Sequence, residues 1–112
     1  MMTSEKKKEI PILPLDVSRT VVSLCNDYDR REKELLRGEK PASVLTHYRY
    51  LNETIDAAIA EVCEEGIRET MRRDIGLNRG HRMSPIYFMA DKTYKKRKRL
   101  SKLRIAEALA LF

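Results

Sequence analysis

VLTHYRYLNETIDAAIAEVC, residues 44–63, is the stretch on which the architecture turns. Its apolar members are Val44, Leu45, Tyr48, Leu51, Ile55, Ile59, Val62 and Cys63, mostly three or four positions apart. That is the period of an α-helix with one apolar stripe. Nowhere does the chain show the strict apolar–polar alternation of a half-buried strand. Such a stripe needs a second apolar surface. Upstream, Val17, Val21, Leu24, Tyr28 and Leu35 repeat at spacings of four, three, four and seven. Arg30, Arg31, Glu32, Lys33 and Glu34 fill the other faces with interleaved signs, as a solvated helix does. Asp16 or Ser18 is placed to cap this helix, Gly38 to stop it, and Pro41 to sit early in the next. The intervening GEK is short, and helices joined by a short connection are antiparallel neighbours. Residues 15–65 are therefore predicted to form a helical hairpin, with Leu51 and Ile55 in the middle of its seam.

On the N-terminal side, residues 1–14 read as a flexible tail. SEKKKE is polar, and Pro11 and Pro14 exclude a helix through PILP. No signal peptide is recognisable there, and no stretch reaches the ~18 apolar residues of a membrane span. A cytoplasmic protein is expected. On the C-terminal side, Ile67, Met71 and Ile75 give a short third stripe, which Gly76 and Gly80 interrupt. Ser84 and Pro85 are a cap and first-turn pair that predicts a short helix over 86–90. Asp91 then caps a last helix running from Lys92 to the end. The fold class expected is all-α: a long antiparallel helical hairpin, then a small helix-turn-helix-like unit over 66–112 ending in a long basic helix. The 112 residues amount to one compact domain.

Charge separates the last helix from the rest. The net charge is +6, yet residues 92–104 hold eight Lys and Arg and no acid, so the remainder sums to −2. Like charges on adjacent turns repel, and the positive end of the helix dipole lies at the same end. Helix stability alone would put acids there. A polyanion outside the chain offsets the repulsion, and phosphate is the obvious one. A membrane surface fits less well, because the apolar residues follow the charges along the helix instead of lying opposite them.

A helix at 67–75, a glycine turn, a helix at 86–90 and a basic helix follow the order of a helix-turn-helix. Lys92, Thr93, Tyr94, Lys95, Lys96, Arg97, Lys98, Arg99 and Lys102 are the candidate nucleic-acid contacts, with Arg79 and Arg82 on the flanking backbone. Arg72, Arg73 and His81 lie close by in sequence. Arg97 or Arg99 can read guanine with two parallel hydrogen bonds, while lysines mostly hold phosphates.

The sequence TYKKRKRLSKLRIAEALAL (93–111) resembles the closing helix of phage transcription regulators of the ArpU/RinA type. In that group a Ser or Thr is followed by Tyr, a Lys/Arg run and an IAEAL-like end. Thr93, Tyr94, Lys95, Lys96, Arg97, Lys98 and Ile105–Leu109 carry the match, and residues 67–92 follow more loosely. The resemblance implies a sigma-factor-like helix-turn-helix and DNA binding in transcription control. It does not extend to the hairpin.

No catalytic pattern stands beside it: no Gly-rich phosphate loop, no Cys–His arrangement, no paired acids in an apolar setting. Cys25 and Cys63 read as buried small residues of a reducing compartment, and His47 and His81 lack ligand spacing. A non-enzyme without metal or cofactor is expected, binding duplex DNA. Tyr28, Tyr48 and Tyr50 are more aromatic surface than a two-helix seam needs, so a homodimer through residues 16–65 is expected as well. The alternative is a non-enzymatic assembly protein whose basic helix meets RNA or an acidic partner.

Overall fold

A computed structural model describes residues 10–112, and the described residues are helical with no strand. For residues 1–9 the expected tail lies outside the described residues. Five α-helices follow in order: α1 (Leu15–Asn26), α2 (Tyr28–Arg37), α3 (Ala42–Ala60), α4 (Arg68–Gly76) and α5 (Asp91–Ala108). Single 3-10 turns stand at Glu65–Ile67 and His81–Met83.

The first predicted helix is two helices, parted at Asp27. Arg31 breaks it. Its guanidinium turns inward, where Nη2 donates to the Leu24 carbonyl at 2.5 Å and Nε donates to Asn52 Oδ1 at 2.7 Å. Leu24 O is the acceptor that Tyr28 N–H would use in an unbroken helix. A side chain inserted into the backbone ladder is a recognised cause of a kink. Asn52 completes the knot by donating to Tyr28 O at 3.2 Å and Glu32 Oε2 at 2.8 Å.

Beyond the kink the two helices take different partners. α2 lies against α3, while α1 lies against α4 and α5. The antiparallel pairing expected over 15–65 is thus carried by α2 and α3. Gly38, with φ of 68°, closes α2 through its N–H to Glu34 O at 3.0 Å. That left-handed φ favours glycine at the position after a helix. α1 and α4 meet at backbone distance: a Cβ on Gly76 would stand 2.8 Å from Asn26 N and 2.9 Å from the Cys25 carbonyl carbon. Asn26 Nδ2 donates to Gly76 O at 2.9 Å across that contact. Gly76, expected only as a break, is the residue that lets these helices touch.

The core draws on both halves of the chain, with Val21, Cys25, Tyr28, Ile55, Ile59, Cys63, Ile67, Met71, Ile75, Ile86, Tyr94 and Ile105 in one cluster. Leu51 is only half-buried, and its neighbour Asn52 takes the interior place. The helix predicted over 86–90 is a turn instead. Ile86 N–H is taken by Ser84 Oγ at 2.9 Å and Ile86 O meets His81 Nε2 at 2.9 Å, so side chains engage both backbone groups of Ile86 in this turn. α5 also stops before the chain end. Ala110 adopts φ of 58°, and the bonds Ala110 N–H to Glu107 O (3.1 Å) and Leu111 N–H to Ala106 O (2.8 Å) form a Schellman closure. It folds Leu109 and Leu111 back against the core.

Candidate nucleic-acid interface

The end of α4 sets the position of α5. Asn78 takes φ of 53°, with Asn78 N–H on Ile75 O at 3.0 Å and Arg79 N–H on Asp74 O at 2.8 Å. This second Schellman closure swings Arg79 back over Asp74, which is fully buried. Arg79 donates to Asp74 Oδ1 from Nε at 2.7 Å, with Nη2 at 2.6 Å. The other carboxylate oxygen accepts from the Tyr94 hydroxyl at 2.8 Å. A buried carboxylate is thereby matched by one cation and one hydroxyl, which burial demands.

Tyr94 was a candidate contact, and here the structure corrects the sequence reading. It is 1% exposed and binds Asp74, so no base can stack on it. Desolvation, and then the Asp74 carboxylate beside it, hold its phenol above the ordinary range. His81 stacks on the buried ring, with centroids 4.5 Å apart and planes 15° from parallel. Each His81 nitrogen also faces an acceptor: Nε2 the Ile86 carbonyl at 2.9 Å, Nδ1 the Asp91 carboxylate at 3.0 Å. Residues 86 and 91 thus both meet one imidazole, which donates to one of them when neutral and to both when protonated.

Several of the eight cations are committed inside the protein. Lys98 Nζ donates to Arg79 O at 2.6 Å and Lys102 Nζ to Ser18 Oγ at 2.6 Å. Both are half-buried, and desolvation lowers the pKa of each. Arg97 pairs with Glu64, and Arg104 with Glu61 at 3.6 Å and Glu107 at 3.0 Å. Lys95 is exposed but pairs with Asp91 at 3.0 Å, and that contact, followed by the His81 bond, depresses the Asp91 carboxyl. Thr93 is half-buried.

Lys92, Lys96 and Arg99 differ from these. They are exposed, and no ion pair holds them among the described residues. At positions i, i+4 and i+7 they fall on one side of α5. The stripe is about 10 Å long at 1.5 Å per residue, which matches roughly three phosphates of one strand. Arg82, also exposed, stands on the preceding 3-10 turn, whereas Arg79 is spent on Asp74. Of the two arginines expected to read bases, Arg99 is open and Arg97 is engaged.

Two residues that the sequence reading passed over stand on the turn that leads into α5. Tyr87 and Phe88 are 81% and 68% exposed and touch edge to face, with centroids 6.0 Å apart. A helix at 86–90 would have hidden their significance. Comparisons of the chain with protein-family models, curated proteins and solved structures gave no match. Among the described residues, no helix is long and apolar enough to cross a membrane.

Proposed function

We propose that the chain binds duplex DNA through the N-terminal half of α5 and works in transcription control, in the manner of the phage regulators that residues 93–111 resemble. The supporting observation is the exposed stripe of Lys92, Lys96 and Arg99, without an ion pair among the described residues, at the end of α5 where the helix dipole is also positive. The other five cations of residues 92–104 are engaged by internal acceptors, so the stripe is what remains for an outside polyanion. Lys92 and Lys96 hold phosphates, and Arg99 either joins them or reads a guanine edge. Arg82 reaches the flanking backbone from its turn. Replacing Lys92, Lys96 and Arg99 together with Gln keeps good helix formers on an exposed face, so the fold survives. Fluorescence anisotropy with a labelled duplex tests the reading. The triple variant loses affinity, whereas Lys33→Gln/Arg49→Gln on the α2–α3 arm binds as the parent does.

Self-association is a compatible second element. Leu36 on α2 is 88% exposed and Tyr50 on α3 is largely open, both within the region expected to dimerise. Sedimentation at micromolar concentration gives a two-subunit mass if that arm pairs, and a 13.1 kDa species if it does not.

A further inference from the structure

We infer that the turn leading into α5 receives unpaired bases, and that the DNA bound by this protein carries a short single-stranded stretch beside its duplex contact. The inference rests on the α5 reading above and adds the chemistry of what is bound. Three observations carry it. Tyr87 and Phe88 stand on the turn before α5, 81% and 68% exposed, and among the described residues no third aromatic ring stacks on them. Large aromatics left in water mark a contact surface. The loop beneath them is held firmly. Ile86 is buried, its N–H is held by Ser84 Oγ, and the His81 ring lies between the Ile86 carbonyl and Asp91 at the start of α5. Aromatics on a rigid base lose little freedom when a ligand covers them. Lastly, Lys92 begins the cationic stripe four residues beyond Phe88 in sequence, so their Cα atoms stand no more than about 14 Å apart, within reach of one strand.

Aromatic faces next to a cationic track are the means by which proteins hold single strands, since every base has a π-face to stack. In a closed duplex those faces are already covered by neighbouring bases. The rings therefore distinguish opened from closed DNA, while the stripe supplies affinity for either.

The experiment uses the full chain and three labelled DNAs of one sequence at about 50 mM salt: a matched duplex, the same duplex with a few central mismatches, and a single strand. The opened duplex should bind about 5- to 150-fold tighter than the matched one for each stacked base. Phe88→Ala and Tyr87→Ala should abolish that preference and leave matched-duplex affinity and salt slope unchanged. Phe88→Trp should keep the preference. It would be the chain's only tryptophan, so its emission should change on the opened duplex and not on the matched one. Equal parent affinity for opened and matched duplex overturns the inference and leaves the α5 reading standing. So does an equal loss of both affinities in Phe88→Ala, or tighter binding to the single strand than to the opened duplex. If the parent binds none of the three, the inference and the α5 reading fall together.

Discussion

Arg31 and Asp74, the two most deeply buried charges among the described residues, serve different ends. At the α1–α2 kink the buried group is the Arg31 cation, met by a carbonyl and an amide oxygen, with Glu32 reached only through Asn52. At the α4–α5 corner it is the Asp74 anion, met directly by Arg79 and by the Tyr94 hydroxyl. The kink aims an arm, α2 with α3, away from α1. The corner fixes the start of α5 and the turn before it, where the exposed cations and aromatics lie. A buried ion stripped of its partner is costly in either place. Only at the corner should the damage reach the candidate interface.

The largest effect is expected there. Asp74→Ala removes the acceptor of both Arg79 and Tyr94 and should lower stability by ~3–5 kcal/mol in denaturant unfolding, weakening duplex binding as well. Asp74→Asn keeps an acceptor for Tyr94 and should cost less. At the kink, Arg31→Leu returns the Leu24 carbonyl to the helix ladder but orphans Asn52 Oδ1. A loss of ~1–3 kcal/mol is expected, with duplex affinity unchanged in the folded protein. Comparable loss of binding in Arg31→Leu would erase the distinction between the two nodes.

Gly76→Ala tests the crossing between α1 and α4 that joins the two regions. Its new Cβ would meet backbone at 2.8–3.0 Å, so the helices must separate. The expected cost is ~1–3 kcal/mol, and an unchanged melting curve would mean the crossing is looser than described. Cys25 and Cys63 should resist alkylation until the chain unfolds. Both are buried, and burial pushes the Cys25 thiol up to about 12 and the Cys63 thiol up as well. Fast labelling of native protein by iodoacetamide at pH 8 would place at least one of them at the surface. The smallest effect is a gain: Ala110→Gly relieves a left-handed alanine and should add up to ~1 kcal/mol.

The helices themselves were legible in the sequence because apolar period and helix stops are local signals. Ile55, Ile59, Ile67, Met71 and Ile75 fall in the core as their spacing requires. What the sequence hid is polar and non-local. Arg31 stood among charges assigned to solvent, and only the position of α3 supplies Asn52 to receive it. Leu51 looked like the centre of the seam, yet the kink turns α1 elsewhere and leaves Leu51 half-exposed. The short helix over 86–90 had a good start signal in Ser84–Pro85, yet Ser84 Oγ and His81, five residues upstream, engage the N–H and C=O of Ile86 in a turn. The basic run was plain to see. Which of its members face outward depended on Ser18, Glu61, Glu64 and Arg79, residues far away in sequence that no helical projection includes.

The central claim is that Lys92, Lys96 and Arg99 are the cations that meet phosphate. The direct measurement is the salt dependence of duplex affinity for the parent and for the variant with all three changed to Gln. Each phosphate contact adds about 0.9 to the slope of log affinity against log salt, so the variant's slope should be smaller by roughly 2.7. Its unfolding midpoint should match the parent's. An unchanged slope, or a parent that binds no duplex at about 50 mM salt, would contradict the account.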